Sequence, residues 1–283
     1  MLSYRHAFHA GSPADVLKHL VWIQVLDYMT RKDKAFMVVD THAGAGMYLL
    51  SSTMAQKTAE WATGIGKLWV QPLDEIPEAV ARYRTVIADA NPGKALTQYP
   101  GSPWISAHCT RDIDPLRFFE LHSSDAPLLA QALRFAQKRT QITQADGLAG
   151  LKALMPPHAR RATVLIDPAY EDKTDYGKVI QTLRDAQQRF ATGTYVLWYP
   201  ELARRESVEL PERLLKLGVP NWLHVTLSTQ PPATDGLGMT GSGLFIINPP
   251  WTLPATLEET MPWLLKALDE SGQGDYTLDW QIN

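Results

Sequence analysis

Short apolar runs rich in β-branched and aromatic residues recur along the chain, separated by longer stretches of helical length. The runs fall at 36–39, 116–119, 141–143, 162–166, 195–198, 223–227 and 244–247. Several are continuously apolar rather than alternating, as strands covered on both faces require. Helix-length segments lie between most of them, among them 125–138 and 176–190. Strand, helix, strand in repetition predicts a parallel α/β sheet. Only a Pro- and Gly-rich stretch, 229–243, joins the last two runs, which predicts a terminal antiparallel strand pair closing the sheet.

The first helix is marked by Ser12 as N-cap, Pro13 at the first helical position and Asp15 in the first turn. Leu17, Leu20, Val21 and Leu26 then supply an apolar face. The stretch from about 50 to 98 breaks the alternation. It holds Trp61, Trp69, Pro72, Pro77 and Pro92, with two segments of helical length and no strand. Structureless loops of that size are uncommon inside compact domains, so it reads as a small inserted helical subdomain in a single domain spanning 1–283.

Charge changes this picture little. The 27 basic and 30 acidic residues give −3, which neither points to a nucleic-acid partner nor excludes one, because a local basic face suffices. Cys109 is the single cysteine, which excludes a disulfide framework and a cysteine-based zinc cluster. No apolar run approaches the roughly 18 residues of a membrane span, and the first residues hold no apolar signal core. The expectation is a cytoplasmic protein without membrane contact, and no obligate protein partner is evident.

Candidate chemistry sits at strand ends. Asp40-Thr-His-Ala-Gly44-Ala-Gly46 follows the run at 36–39. Its glycines let the backbone turn tightly and approach a ligand where open α/β sheets bind them. Leu49 stands where a dinucleotide fingerprint wants Gly or Ala, and no Gly-Lys-Ser/Thr of a phosphate loop follows. Taken alone, this is a strand-to-helix turn. Asp167-Pro168-Ala169-Tyr170 follows the run at 162–166. Asp-Pro enforces an extended exit that offers a carboxylate, a free carbonyl and an aromatic ring, the set that handling an exocyclic base amine needs. Asn248-Pro249-Pro250-Trp251 fits the same pattern but follows the terminal strand pair, and is assigned to structure. Glu120 and Asp146-Gly147 complete the strand ends, where acids commonly hold ribose hydroxyls.

Together these residues resemble the S-adenosylmethionine-dependent methyltransferases, in the amino-methylating branch with an Asp/Asn-Pro-Pro-Tyr motif. The likeness narrows over Met1-Leu-Ser-Tyr4-Arg-His6-Ala-Phe-His-Ala-Gly11, Ala14-Asp-Val-Leu-Lys18-His19 and Tyr99-Pro-Gly-Ser102-Pro103. It continues over Glu120-Leu-His122, Lys173-Thr-Asp-Tyr176, Phe190-Ala-Thr-Gly-Thr-Tyr195 and Leu197-Trp-Tyr-Pro200. These motifs are similar to those of the bacterial 23S rRNA adenine-N6 methyltransferases, and the likeness covers nearly the whole chain.

The resemblance implies a Rossmann-like α/β methyltransferase sheet, S-adenosyl-L-methionine as cofactor, no metal, and 23S rRNA as partner. The family methylates one adenine (position 2030), acting on naked rRNA. Its cofactor contacts carry over onto His19, His42, Gly44, Ser102, Glu120, Asp146, Gly147 and Asp167. Asp167 also carries over as proton acceptor, with Tyr170 beside it as the other catalytic residue, stacking on a flipped base. Tyr4, His6 and Lys18 carry over as residues that meet the RNA. Ala169 departs from the family, whose motif has a second Pro; the Pro168 carbonyl remains in a less rigid turn. Arg5 and Lys18, with Arg31, Lys32 and Lys34, are the expected phosphate-facing surface, whereas Arg204-Arg205 reads as a solvated face.

The residues themselves leave three alternatives. The amine motif serves DNA adenine as well as RNA adenine. His6, His9, Asp15 and His19 could ligate the metal of a nucleic-acid hydrolase. Ala169 would also suit a binder without turnover.

Overall fold

The computed structural model describes residues 4–231 and 238–283. A 3-10 turn, His6–Phe8, leads into helix α1, Pro13–Thr30. Ser12 Oγ accepts from Asp15 N at 3.4 Å, and Pro13 opens the helix. Apolar residues surround α1 on every side, and Val16, Leu17, Leu20, Trp22, Ile23 and Leu26 are wholly buried, as a helix packed between layers requires.

Strand β1, Met37–Asp40, follows, then the short β2, Met47–Leu49. Helices α2 (Thr53–Thr58), α3 (Glu60–Thr63), α4 (Ile65–Trp69) and α5 (Glu78–Asp89) precede β3, Gln98–Pro100. Alternation then sets in with α6 (Ser102–Cys109), β4 (Leu116–Phe119), α7 (Asp125–Ala132), β5 (Thr140–Thr143) and α8 (Gly147–Leu154). It continues through β6 (Ala162–Ile166), α9 (Asp175–Arg189), β7 (Thr194–Leu202) and α10 (Arg205–Leu215). The remaining elements are β8 (Trp222–Ser228), β9 (Met239–Ile247), α11 (Leu253–Leu268) and β10 (Asp275–Gln281).

Eight strands form one α/β sheet in the order β10-β8-β9-β7-β6-β1-β4-β5. The five from β5 to β7 are parallel, and β9, β8 and β10 pair antiparallel. After β1 the chain builds outward to β4 and β5, then crosses back to β6 and β7. The strand order therefore reverses beside β1, and the crevice outside the carboxyl ends at such a reversal is where open α/β sheets hold ligands. Both faces of the inner parallel strands are covered. Val38, Leu165 and Val196 pack into one core with α1, α5, α6 and α11. Val39, Val164, Ile166 and Leu197 pack into the other with α8, α9 and α10. Among the described residues no helix is long and apolar enough to cross a membrane.

The expected strands all form, and β8 and β9 pair antiparallel as expected. β9 lies between β7 and β8, however, and the edge of the sheet is closed by β10, whose mostly exposed residues form no apolar run. The segment expected to be strand-free is clamped at its base by a β2–β3 ladder pairing Met47 with Pro100 and Leu49 with Gln98. The expected helix at 125–138 divides into α7 and a 3-10 helix, Arg134–Arg139.

The inserted helices meet the N-terminal block at Gly64. A Cβ there would stand 2.0 Å from the Gly11 carbonyl oxygen and 2.8 Å from Pro13 N, beside the bond from Ile65 N to Gly11 O at 2.9 Å. Gly64→Ala is expected to lower the unfolding free energy by about 1–3 kcal/mol, read as a drop of several degrees in Tm. An unchanged Tm would show that this seam has room to spare.

Candidate active site

A cavity of about 940 Å³ opens at the carboxyl ends of the parallel strands. His42 and Gly44 reach it from the turn after β1, Glu120 from the end of β4, Asp146 and Gly147 from the turn after β5, and Asp167 and Pro168 from the end of β6. Lys18 and His19 enter from α1, Ser102 from the start of α6, and Tyr4 and His6 from the N-terminal block. Every site residue expected from the sequence lines this cavity except Tyr170.

The turns are held by the acids they bring together. Glu120 accepts from Gly44 N at 2.7 Å and from His122 N at 2.6 Å, and burial raises its pKa. Gly44 has a φ of +62°, and a Cβ on it would stand 2.3 Å from the Tyr48 hydroxyl; only glycine suits both conditions. Asp146 Oδ1 caps α8 by accepting from Leu148 N at 2.9 Å, leaving Oδ2 for the cavity. Gly147 lies so close to the β1 turn that a Cβ would be 2.1 Å from the Thr41 carbonyl oxygen. His42 Nδ1 lies 2.8 Å from Thr41 Oγ1, and burial lowers the pKa of its imidazole.

A chain of charges runs across the cavity floor. The Lys18 ammonium donates to Asp167 Oδ2 at 2.6 Å and sits 2.8 Å from Asp15 Oδ1. Asp15 Oδ2 in turn takes His6 Nε2 and Gly11 N, both at 2.9 Å, and His6 Nδ1 meets the Tyr4 hydroxyl at 2.9 Å. Lys18 and Asp15 are 4% and 1% exposed at their side chains. Burial works against both charges, but their partners outweigh it: Lys18 is held above the ordinary lysine range and Asp15 well below the ordinary carboxylate range. The sequence marks Asp15 as a first-turn acid and as an alternative metal ligand, not as the partner of Lys18. Its i, i+3 spacing to Lys18 is the signal that could have shown the pair.

Several expectations need correction. Tyr170 is 1% exposed, and its hydroxyl donates to the Trp198 carbonyl at 2.9 Å while its ring packs against Tyr176. Its φ of +53° turns the chain so that the ring enters the core, and it offers no face to the cavity. Lys18 is committed to two carboxylates and is not a phosphate-facing residue. Arg31, Lys32 and Lys34 follow the far end of α1, before β1 begins, at the opposite edge of the sheet from the cavity. Arg5 pairs with Asp125 at 2.9 Å, and Arg204 donates to the Tyr170 carbonyl at 3.1 Å. Among the described residues the alternative metal ligands do not gather into a group that could hold a metal: His6 bonds Asp15, His9 bonds Glu60, and His19 Nδ1 bonds Tyr99. Asn248 accepts its place at the amino ends of the strands, donating to the Ala191 and Gly193 carbonyls.

The donor set fits S-adenosylmethionine. Carboxylates at Glu120 and Asp146 suit ribose hydroxyls and a base amine, glycines at 44 and 147 clear the space, and buried His19 Nε2 has no hydrogen-bond partner. Asp40, not singled out as a site residue from sequence, is wholly buried at the end of β1. It accepts from Ser102 Oγ at 2.6 Å and from His42 N at 3.1 Å. Burial, only partly offset by those bonds, pushes its pKa from 3.8 up to about 6. The folded chain thus binds this proton more tightly than the unfolded chain, so the contribution is full below 3.8 and is lost as pH rises through 6. Relative to Asp40→Asn, wild-type unfolding free energy should fall by roughly 2 kcal/mol between pH 4 and pH 7. Denaturant titrations showing a rise over that range would contradict it.

Comparison with known proteins shows the family. The family model described as "Ribosomal RNA large subunit methyltransferase D, RlmJ" matches residues 33–282. The chain is 42% identical to ribosomal RNA large subunit methyltransferase J of Escherichia coli, over 100% of this chain and 99% of that protein. It is 43% identical to the protein of the same name from Haemophilus influenzae, over 99% of each. A crystal structure of a Legionella pneumophila protein, 31% identical, superposes with a TM-score of 0.88 over 97% of this chain and 99% of that one. The chain belongs to this family of ribosomal RNA large subunit methyltransferases.

Proposed function

We propose that the protein transfers a methyl group from S-adenosylmethionine to N6 of an adenine in 23S rRNA, working as one domain on naked RNA in the cytoplasm. The observation that carries this reading is Asp167 and the Pro168 carbonyl at the end of β6, in one cavity with the nucleoside-suited acids Glu120 and Asp146. When bound, the cofactor supplies a methyl group activated by its sulfonium charge.

The chain's own residues do the rest. A base flipped from the RNA costs a few kcal/mol of unstacking, and Tyr4, which lines the cavity, supplies an aromatic face for it. Asp167 Oδ1 and the Pro168 carbonyl accept the two N6 hydrogens, turning the amine's lone pair toward the methyl group. Adenine N6 is a weak nucleophile because its lone pair is shared with the ring, so orientation supplies most of the acceleration. Bond formation at N6 makes the nitrogen cationic, and Asp167 takes up the released proton. Lys18 fixes Asp167 through Oδ2 at 2.6 Å and leaves Oδ1 to the base. Ala169 leaves both acceptors in place, since neither belongs to residue 169.

Methyl-labelled S-adenosylmethionine incubated with protein-free 23S rRNA, then digested to nucleosides, is expected to yield labelled N6-methyladenosine. Asp167→Asn should still bind the cofactor and lose on the order of 10²-fold or more in turnover. Near-normal turnover in that variant, or label in another nucleoside, would contradict the reading. Label taken up by DNA and not by RNA would move the substrate to DNA adenine.

A further inference from the structure

Tyr83 lies on α5, inside the inserted segment, yet its hydroxyl is linked to the cavity wall. Tyr83 Oη stands 3.0 Å from Tyr99 Oη, and Tyr99 Oη stands 2.7 Å from His19 Nδ1. All three residues are buried, none more than 1% exposed. His19 lines the cavity, and its Nε2 has no hydrogen-bond partner; Asp15 Oδ1 is 3.9 Å from it. Burial, opposed only in part by Asp15, takes the pKa of the imidazole down to about 3. The ring is therefore neutral at physiological pH and carries one proton on one of its two nitrogens.

Hydrogen-bond accounting together with the Asp15 charge decides which. With the proton on Nδ1, the ring would donate to Tyr99, Tyr99 would have to donate to Tyr83, and the Tyr83 hydroxyl proton would have no acceptor. Among the described residues, Tyr99 is the hydrogen-bond partner Tyr83 has. A buried donor left unpaired is the costly case. In the reverse order Tyr83 donates to Tyr99, Tyr99 donates to Nδ1, and every hydroxyl proton is matched. The donor then left over is Nε2–H, on a residue that lines the cavity, and the Asp15 carboxylate 3.9 Å away favours the hydrogen there. Ser102 has the opposite polarity, because its hydroxyl proton goes to Asp40 at 2.6 Å and only lone pairs remain for the cavity. One donor and one acceptor match the two ends of a zwitterion.

We propose that Tyr83 and Tyr99 are positioning residues for cofactor binding, fixing His19 as an Nε2–H donor to the carboxylate of S-adenosylmethionine. Ser102 is the acceptor for the ammonium of the same amino-acid end. The inference rests on the cofactor reading above, and it gives the inserted helices a part in cofactor selection through Tyr83.

NMR of the free protein labelled with ¹⁵N-histidine reads the tautomer directly, with His19→Gln assigning the signals. A protonated Nε2 and an unprotonated Nδ1 are expected, shifting toward a mixture in Tyr83→Phe. By calorimetry, Tyr83→Phe should bind S-adenosylmethionine roughly tenfold more weakly and bind decarboxylated S-adenosylmethionine as wild type does. A proton on Nδ1 in wild type would overturn the proposal, as would a Tyr83→Phe variant that weakens both ligands equally or neither. A wild-type protein that binds neither ligand would defeat the cofactor reading, and the spectrum of the free protein would still decide the proton wire.

Discussion

The Lys18 ammonium, 2.8 Å from Asp15 and 2.6 Å from Asp167, is the interaction on which the arrangement of the cavity floor depends. Removing ions from water costs several kcal/mol each, and only close geometry with further hydrogen bonds offsets it. Those bonds come from His6 and Gly11 on the N-terminal block, so the same charge chain that fixes Asp167 also ties that block to α1. The motif at the end of β6 and the block at the start of the chain are thus parts of one electrostatic unit. Tyr4 and His6 stand beside Asp167 because of it.

Around that unit the cavity is acidic, with Asp146, Glu120, Asp167, Asp172 and Asp175 on its walls. Such a surface suits a cofactor bearing sulfonium and ammonium charges better than it suits phosphate. Lys18, the lysine on the cavity floor, is neutralised in place by Asp15 and Asp167, so in the proposed function the RNA backbone is met at the rim rather than inside. In the proposed function the base alone enters, and Asp167 and the Pro168 carbonyl are the acceptors for its amine hydrogens.

Much of this was legible in the sequence for a topological reason. The central parallel strands β1 and β6 are buried on both faces and therefore read as apolar runs, and the carboxyl ends of all the parallel strands face one side. His42 and Asp167 follow such runs, and Glu120 and Asp146 converge with them from the ends of β4 and of the half-exposed edge strand β5. β10 was not legible, since an edge strand alternating Tyr276 and Leu278 with Thr277 and Asp279 shows no continuous run. β2 and β3 are three residues each and acquire meaning only by pairing across the insert. Burial of Lys18 was hidden for a similar reason: its partner Asp167 lies 149 residues away. Tyr170 shows the limit of motif reading, because backbone sign and a bond to the Trp198 carbonyl decide where its ring points.

The most direct test of the central claim is a double-mutant cycle of Lys18→Met and Asp167→Asn on unfolding free energy. If one ammonium compensates Asp167, removing that charge should relieve part of the loss caused by Lys18→Met. The double variant should then be at least about 1 kcal/mol more stable than the two single losses added together. Losses that add to within about 0.5 kcal/mol would mean that Lys18 and Asp167 stand side by side without holding each other, and would contradict the account.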